Sequence, residues 1–352
     1  MFWRWNLEFR QDIIFGVPAR FIDSRPSNLT RQKAFCDEKK KQQCMGKLDK
    51  VIKNQYLVKL GKRDILATMH MFDVPKGEND VRMVYHGTKS GLNDTLWTPW
   101  FPLPTVEALV RSMTQGTWSG DNDFADQFLN FVLHAELQKY CGIDLSQLFP
   151  HDTDDQRELY AMWVRNAMGL KPSPYASVQL ALRAKVIMLR NKSDIKNPFH
   201  WSKWVFNLPG SELYDPTKSW AYQVRSDGLM AVNVLMYVDD LRVTAPTKEL
   251  AWRASSHIGK VCSYLGLQDA AQKRSEPSQT PGAWAGSMVK SQDHQPVYRR
   301  VTKERWRKTQ QSILWFGVQM GVNLPRGYEQ LLEEGQLEKE GIGEELGSLN
   351  RK

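Results

Sequence analysis

Three aspartates stand where charge is hard to explain by packing alone. In Met236-Tyr237-Val238-Asp239-Asp240, an apolar run delivers two adjacent carboxylates to an apparent turn. In Asp123-Phe124-Ala125-Asp126-Gln127-Phe128, another aspartate closes an apparent strand. If the two strands are neighbours, Asp123 and Asp239 face each other. Carboxylate oxygens are the hard ligands that Mg²⁺ prefers. Two such ions about 3.5–4 Å apart clamp the attacking and leaving oxygens of an in-line phosphoryl displacement, a reaction governed mainly by positioning and charge neutralisation. Ordinary roles stand beside this one, because Asp is a good turn residue and a good helix N-cap.

These acids need strands and helices to bring them together. MAVNVLMYVDDLRVTA reads as two apolar β-runs joined at Asp239-Asp240, a hairpin with an acidic tip. A strand leads into Asp123, and FADQFLNFVLHAELQKY after it reads as helical. Upstream, residues 30–53 read as a basic helix. NQYLVKL, ILATMHMFDV and VRMVYHG follow as β-runs, the last two joined across the polar turn PKGEND. TVEALVRSM reads as a short helix, and residues 157–166 as a strand. Residues 173–190 read as a helix opened by Pro172-Ser173-Pro174. Residues 191–226, rich in Pro, Ser, Asp and Trp, read as an inserted loop. KELAWRASSHIGKVCSYLG reads as a helix, GAWAGSMV as a short strand, and the tail from Lys303 as two helical segments. This irregular mixture points to an α+β fold, not a doubly wound parallel sheet.

The chain has 352 residues, 41% hydrophobic and 25% charged, enough to bury a sizeable core in one large domain or a few subdomains. No run of about 18 apolar residues occurs, so no bilayer-spanning helix and no membrane association are expected. The aromatic start MFWRWNLEF lacks the clean apolar stretch of a secretory signal and suggests a piece of a longer polyprotein. Cys36, Cys44, Cys141 and Cys262 match no zinc spacing or disulfide framework; reduced thiols in an intracellular protein, cytoplasmic or nuclear, are expected. The net charge of +9 is uneven. Residues 31–63 hold eleven Lys/Arg against Asp37, Glu38 and Asp49. Such a block suits a nucleic-acid backbone, or a solvated helix face.

In this order, the segments resemble the palm motifs of reverse transcriptases. DFADQF looks like the first motif and MGLKPSP, Met168 to Pro174, is similar to the second. YVDD is the third, in a form common among retroviral and LTR-retrotransposon enzymes. Lys273-Arg274 and Pro281-Gly-Ala-Trp-Ala-Gly286 look like the fourth motif and the primer-grip hairpin. VPKGENDVRMVYHGTKSGLN, closing on Asn93, resembles the fingers. The resemblance spans roughly residues 30–290 and is similar to reverse-transcriptase-like sequences of unicellular eukaryotes.

The resemblance implies a right-hand polymerase. Its parts would be an N-terminal extension (1–29), fingers (30–105), a palm (106–290, with an insertion near 191–226) and a thumb-like helical tail (291–352). It implies an RNA-directed DNA polymerase that adds dNTPs to a primer 3′ end on an RNA template, the primer being DNA or RNA. Asp123, Asp239 and Asp240 would be the catalytic acids around two Mg²⁺ ions, with Mn²⁺ as an alternative. Lys76, Arg82, Asp126, Phe128, Met168 and Gly169 would receive the dNTP, with Phe128 excluding a 2′-hydroxyl. Ser173, Pro174, Tyr237, Lys273, Trp284 and Gly286 would serve template and primer. Met168 departs from the Gln of many relatives, the stretch from Pro174 to Tyr237 is long, and the C-terminus is too short for a connection domain plus RNase H. Two alternatives stand beside this one. An RNA-directed RNA polymerase usually carries a second acid where Phe128 stands and Gly-Asp-Asp in place of Tyr-Val-Asp-Asp. A domesticated remnant would only bind nucleic acid.

Overall fold

A computed structural model describes residues 3–319, apart from residues 4, 28, 30–31, 34–36, 76–79, 149–159, 213 and 295–296. In chain order the elements are α1 (Leu7–Phe15), α2 (Glu38–Lys53), β1 (Leu57–Leu60), β2 (His70–Pro75), β3 (Val81–His86), α3 (Leu92–Thr95), α4 (Val106–Arg111) and β4 (Trp118–Asp123). Then come α5 (Ala135–Gln138), β5 (Gly142–Asp144), β6 (Tyr160–Trp163), α6 (Ser173–Met188), β7 (Lys203–Phe206), β8 (Ala221–Val224), β9 (Asn233–Tyr237) and β10 (Asp240–Ala245). α7 (Lys248–Tyr264), β11 (Ser287–Lys290), β12 (Tyr298–Val301) and α8 (Lys303–Gln319) follow. Among the described residues all named strand pairs are antiparallel, so the α+β expectation meets a mixed fold of small sheets.

The basic stretch near the N-terminus forms α2 because Asp37 caps the free amides of Lys39 and Lys40. Glu38 in the first turn and Lys50 and Lys53 in the last match the helix dipole. The helix starts at Glu38, later than the expected residue 30. Cys44 and Leu48, one turn apart, are fully buried. They join Leu57, Ile143, Ala161 and Trp163 of the sheet β1-β6-β5 in one core, which also holds Cys141. Burial pushes the Cys44 thiol up to about 11 and raises that of Cys141 further.

The second core lies under the sheet β4-β10-β9. β10 is its centre, and every residue from Leu241 to Ala245 is buried. Helices α6 and α7 cover one face. Ala181, Ala184 and Met188 come from α6; Leu250, Ala251, Ala254, Ile258 and Cys262 come from α7. Burial pushes the Cys262 thiol up to about 12. A smaller cluster of Val106, Leu109, Met113, Trp284 and Val289 packs beside it.

One buried charge fixes the register of this sheet. Arg242 is fully buried and sits directly opposite Asp121 in the β4–β10 ladder. Its Nε and Nη2 donate to the two Asp121 oxygens at 2.7 and 2.8 Å, and Nη2 also reaches the Gly282 carbonyl at 3.0 Å. Bidentate pairing is the strong geometry for a guanidinium.

Three expectations need correction. The stretch after Asp123 is not one helix: it is a single 3₁₀ turn, Gln127–Asn130, then the short α5. Asp126 adopts a left-handed backbone (φ +44°), which an α-helix cannot absorb. Asn130 turns its amide back onto the carbonyls of Ala125, Asp126 and Gln127, competing with helical bonds. Residues 191–226 are not just a loop, for β7 and β8 pair as a hairpin. In GAWAGSMV the strand starts only at Ser287, because Ala285 and Gly286 both have positive φ and make a tight turn. The Glu-rich segment with Glu333, Glu334, Glu338 and Glu340 lies outside the described residues.

Asp121→Ala strands the buried guanidinium. It is expected to cost about 3 kcal/mol or more, against near neutrality for the double change Asp121→Ala with Arg242→Met. Urea melts of the three proteins check this.

Candidate active site

The two-residue turn between β9 and β10 sets the site. Tyr237 pairs with Asp240, so Val238 and Asp239 alone span the corner. Val238 sits at φ +57°, a left-handed backbone that costs a β-branched residue. Three contacts hold it. Gln127 Nε2 donates to the Val238 carbonyl at 3.0 Å. The Phe124 amide donates to the Asp239 carbonyl at 3.0 Å. Trp284 Nε1 donates to the Asp240 carbonyl at 3.4 Å, while the Trp284 and Tyr237 rings meet edge to face at 6.1 Å.

The ladder brings the three acids together. Asp123, the last residue of β4, is the register partner of Asp240. One Asp123 oxygen, Oδ2, accepts from the Lys273 ammonium; the other, Oδ1, is buried with no partner. Burial raises the Asp239 carboxyl above the ordinary range, and the Asp123 charge raises it further, while Lys273 and Arg82 pull it down. Burial pushes Asp240 up to about 6, helped by the charges of Asp239, Asp123 and Asp121. Both carboxyls still open to solvent on one side. Hydrogen bonding to Asp123 raises the Lys273 ammonium.

Negative charge therefore accumulates here, with one lysine as its counter-ion. Among the described residues no group of three His, Cys, Asp or Glu side chains stands ready to hold a metal ion. The orphaned Asp123 Oδ1 and the charge-strained pair Asp239 and Asp240 still suit a hard cation. Mg²⁺ commonly takes only one or two carboxylates and completes its shell with water and substrate phosphate.

The other expected residues are placed as follows. Arg82, on β3, is close enough to act on Asp239. Lys76 lies outside the described residues. Asp126 caps the 3₁₀ turn through its backbone, and Phe128 is half-buried in that turn. Met168 is exposed. Gly169 (φ +96°) lies so close to β3 that a Cβ there would sit 1.6 Å from the Tyr85 carbonyl oxygen. Asn93 clamps the same turn, donating to the Gly169 carbonyl and accepting from the Lys171 amide, both at 2.9 Å. Ser173 is fully buried, its hydroxyl donating to Asn166 Oδ1 at 2.6 Å and the Ala167 carbonyl at 2.7 Å. It shapes the start of α6, where Pro174 occupies the first turn. Tyr237 is partly exposed, whereas Trp284 is buried. Gly286 (φ +73°) leaves room for Arg305.

Sequence reasoning passed over Gln127, Arg242 and Asn130. Arg242 left a visible signal, a lone charge inside the apolar run LRVTA. Gln127 and Asn130 left none, because their partners are backbone carbonyls.

No family model matches the chain, and no curated protein matches it in sequence. By structure it is similar to a foamy viral protease-reverse transcriptase solved in complex with double-stranded DNA. The TM-score is 0.56 at 15% identity, over 90% of this chain. The fold is polymerase-like. The chain spans 47% of the length of that solved chain.

Two outcomes test this geometry. Gly169→Ala is expected to cost about 3 kcal/mol or more, because strain and a backbone clash add. Gly91→Ala, also at positive φ (+80°) but with open space around it, is expected to cost about 1 kcal/mol; equal melting shifts would sink the close-approach argument. Asp240 holds its proton longer folded than unfolded. The stability this gives is complete below its ordinary value of 3.8 and lost as pH rises through about 6. Asp240→Asn should therefore stabilise the chain at pH 7.5, by on the order of 1 kcal/mol after solvent screening, with the difference closing below pH 4 in paired urea melts.

Proposed function

We propose that this chain is the polymerase region of an RNA-directed DNA polymerase, extending a DNA or RNA primer on an RNA template with dNTPs. The observation that carries the reading is the meeting of Asp123 and Asp239-Asp240 on adjacent strands, with a buried carboxylate oxygen left unpartnered. The polymerase-like fold supports it. In this reading residues 1–29 are an N-terminal extension, about 30–105 the fingers, 106–290 the palm and 291–352 a thumb-like helical tail.

Asp123 and Asp239 would hold Mg²⁺, with Asp240 in support. When bound, the ions would neutralise charge on the attacking and leaving oxygens of the phosphoryl transfer. The chain's own residues do the positioning. Gln127, Trp284 and the β4–β10 ladder hold the backbone that carries the carboxylates, which would limit reorganisation during reaction. Arg82 and Lys76 would pair with the triphosphate, Arg82 with fork geometry. Asp126 would contribute its backbone, and Phe128 would lie under the sugar and reject a 2′-hydroxyl. Met168 and Gly169 would face the nucleotide. Ser173 would act indirectly, by holding the turn that Pro174 opens beside the template. Tyr237, Trp284 and Gly286 would shape the seat of the primer end. Lys273 keeps the charge of Asp123 in check.

Primer extension on an RNA template with Mg²⁺ tests the reading. Extension is expected with dNTPs and not rNTPs, and Asp239→Asn should reduce it more than about a hundredfold. Phe128→Ala should admit rNTPs. Extension by the unmodified chain with rNTPs would favour an RNA polymerase. Retained RNA binding without any extension would favour a non-catalytic remnant.

A further inference from the structure

The hairpin β7–β8 displays more aromatic surface than its packing needs. Trp204 is 51% exposed, and Phe206 and Trp220 are each 63% exposed. Large apolar side chains left clustered in water mark contact sites. Trp204 and Phe206 alternate onto one face of β7. The Phe206 and Trp220 rings stand 6.4 Å apart at 30°, an aromatic contact that leaves both rings largely open to solvent. Trp201 meets Trp204 edge on at 5.9 Å, and the Lys218 ammonium lies 5.7 Å above the Tyr222 ring.

The hairpin is rigid at both ends. At its root, Phe199 is buried in the second core, and Arg225 is buried between Asp227 and the Pro198 carbonyl. At its tip, Asn207 binds the carbonyls of Asp215 and Lys218 and accepts from the Asp215 amide. The backbone that carries the rings is therefore anchored before any ligand comes, which lowers the ordering cost of binding.

Charge selects the ligand. Lys192, Lys196 and Lys203 are exposed and have no acidic partner among the described residues. The Trp201 amide donates to the Lys192 carbonyl at 3.0 Å, placing Lys192 at the aromatic end. Most acids of the segment are committed: Asp194 to the Lys196 amide, Asp215 to Thr217 and Lys218, and Asp227 to Arg225. Open ring faces with unpaired lysines fit a strand whose bases are unpaired and whose backbone is anionic.

We propose that this hairpin is an accessory platform for single-stranded nucleic acid, with bases stacked on the exposed rings of the Phe206–Trp220 pair and of Trp204, and a phosphate met by Lys192. The platform is built on a sheet of its own, β7–β8, separate from the sheet β4-β10-β9 that carries the acidic turn. It does not depend on the chemistry proposed there.

Fluorescence anisotropy of the full chain with labelled twelve-nucleotide oligo(U) and with a blunt duplex tests the platform. Phe206→Ala with Trp220→Ala should weaken oligo(U) binding about tenfold or more and duplex binding less than about twofold. Phe206→Tyr with Trp220→Tyr should restore it, separating stacking from misfolding. Trp252→Ala, an exposed aromatic on α7 outside the hairpin, should leave oligo(U) binding unchanged, and because the readout is binding alone the test stands whether or not the chain extends a primer. Unchanged oligo(U) affinity in the alanine variant would overturn the proposal. So would an equal loss on duplex, or a shift from dimer to monomer in gel filtration showing that a second copy covers the rings.

Discussion

Everything at the candidate site depends on the ion pair between Arg242 and Asp121. It lies two residues from Asp240 on one strand and two from Asp123 on the other, so it sits on the same ladder as the acids. In a β-pair, a slip of one residue turns every side chain to the opposite face. An apolar strand such as LRVTA resists slipping only through packing, and Leu, Val and Ala are interchangeable to a core. A buried guanidinium is not. In this register it meets Asp121, and a slip of one residue would leave its charge unpaired in the interior. The pair thus adds an electrostatic penalty against a one-residue slip to the penalty that packing already imposes.

The turn above it is a place where local and global demands disagree. A glycine or asparagine would sit more comfortably at the left-handed corner that Val238 occupies. Adjacent carboxylates would be better solvated apart. The surrounding structure outvotes both preferences with contacts from distant stretches of chain: Gln127 from the loop after β4, Trp284 from the tight turn before β11, and Lys273 from a short 3₁₀ turn. Strain and charge crowding that survive in this way are common at functional sites.

Much of this was legible in the sequence. The hairpin with its acidic tip, the strand into Asp123 and helices α6 and α7 stand where periodicity placed them. Their signals are local: apolar alternation, a Pro-Ser-Pro start, a capping threonine at Thr247. What could not be read was whatever depends on particular side-chain hydrogen bonds and backbone conformations, near or far along the chain. The helix expected after Asp123 fails because Asp126 takes a left-handed backbone and Asn130 binds the carbonyls of the preceding turn, neither of which periodicity reveals. Ser173, expected to serve template and primer, bonds inward to Asn166. Trp284, expected to shape the strand at the primer end, is buried. Lys273, also expected to serve template and primer, pairs with Asp123.

The buried cysteines carry a further consequence. Cys44 and Cys141 belong to the core around β6, and Cys262 to the core beneath β10. With their thiols held protonated by burial, none of the three presents the thiolate that oxidants and alkylating reagents attack. Each becomes reactive only when its own core opens. The chain thus contains built-in clocks, distinct for its two cores, that record separately how often each half of the molecule breathes.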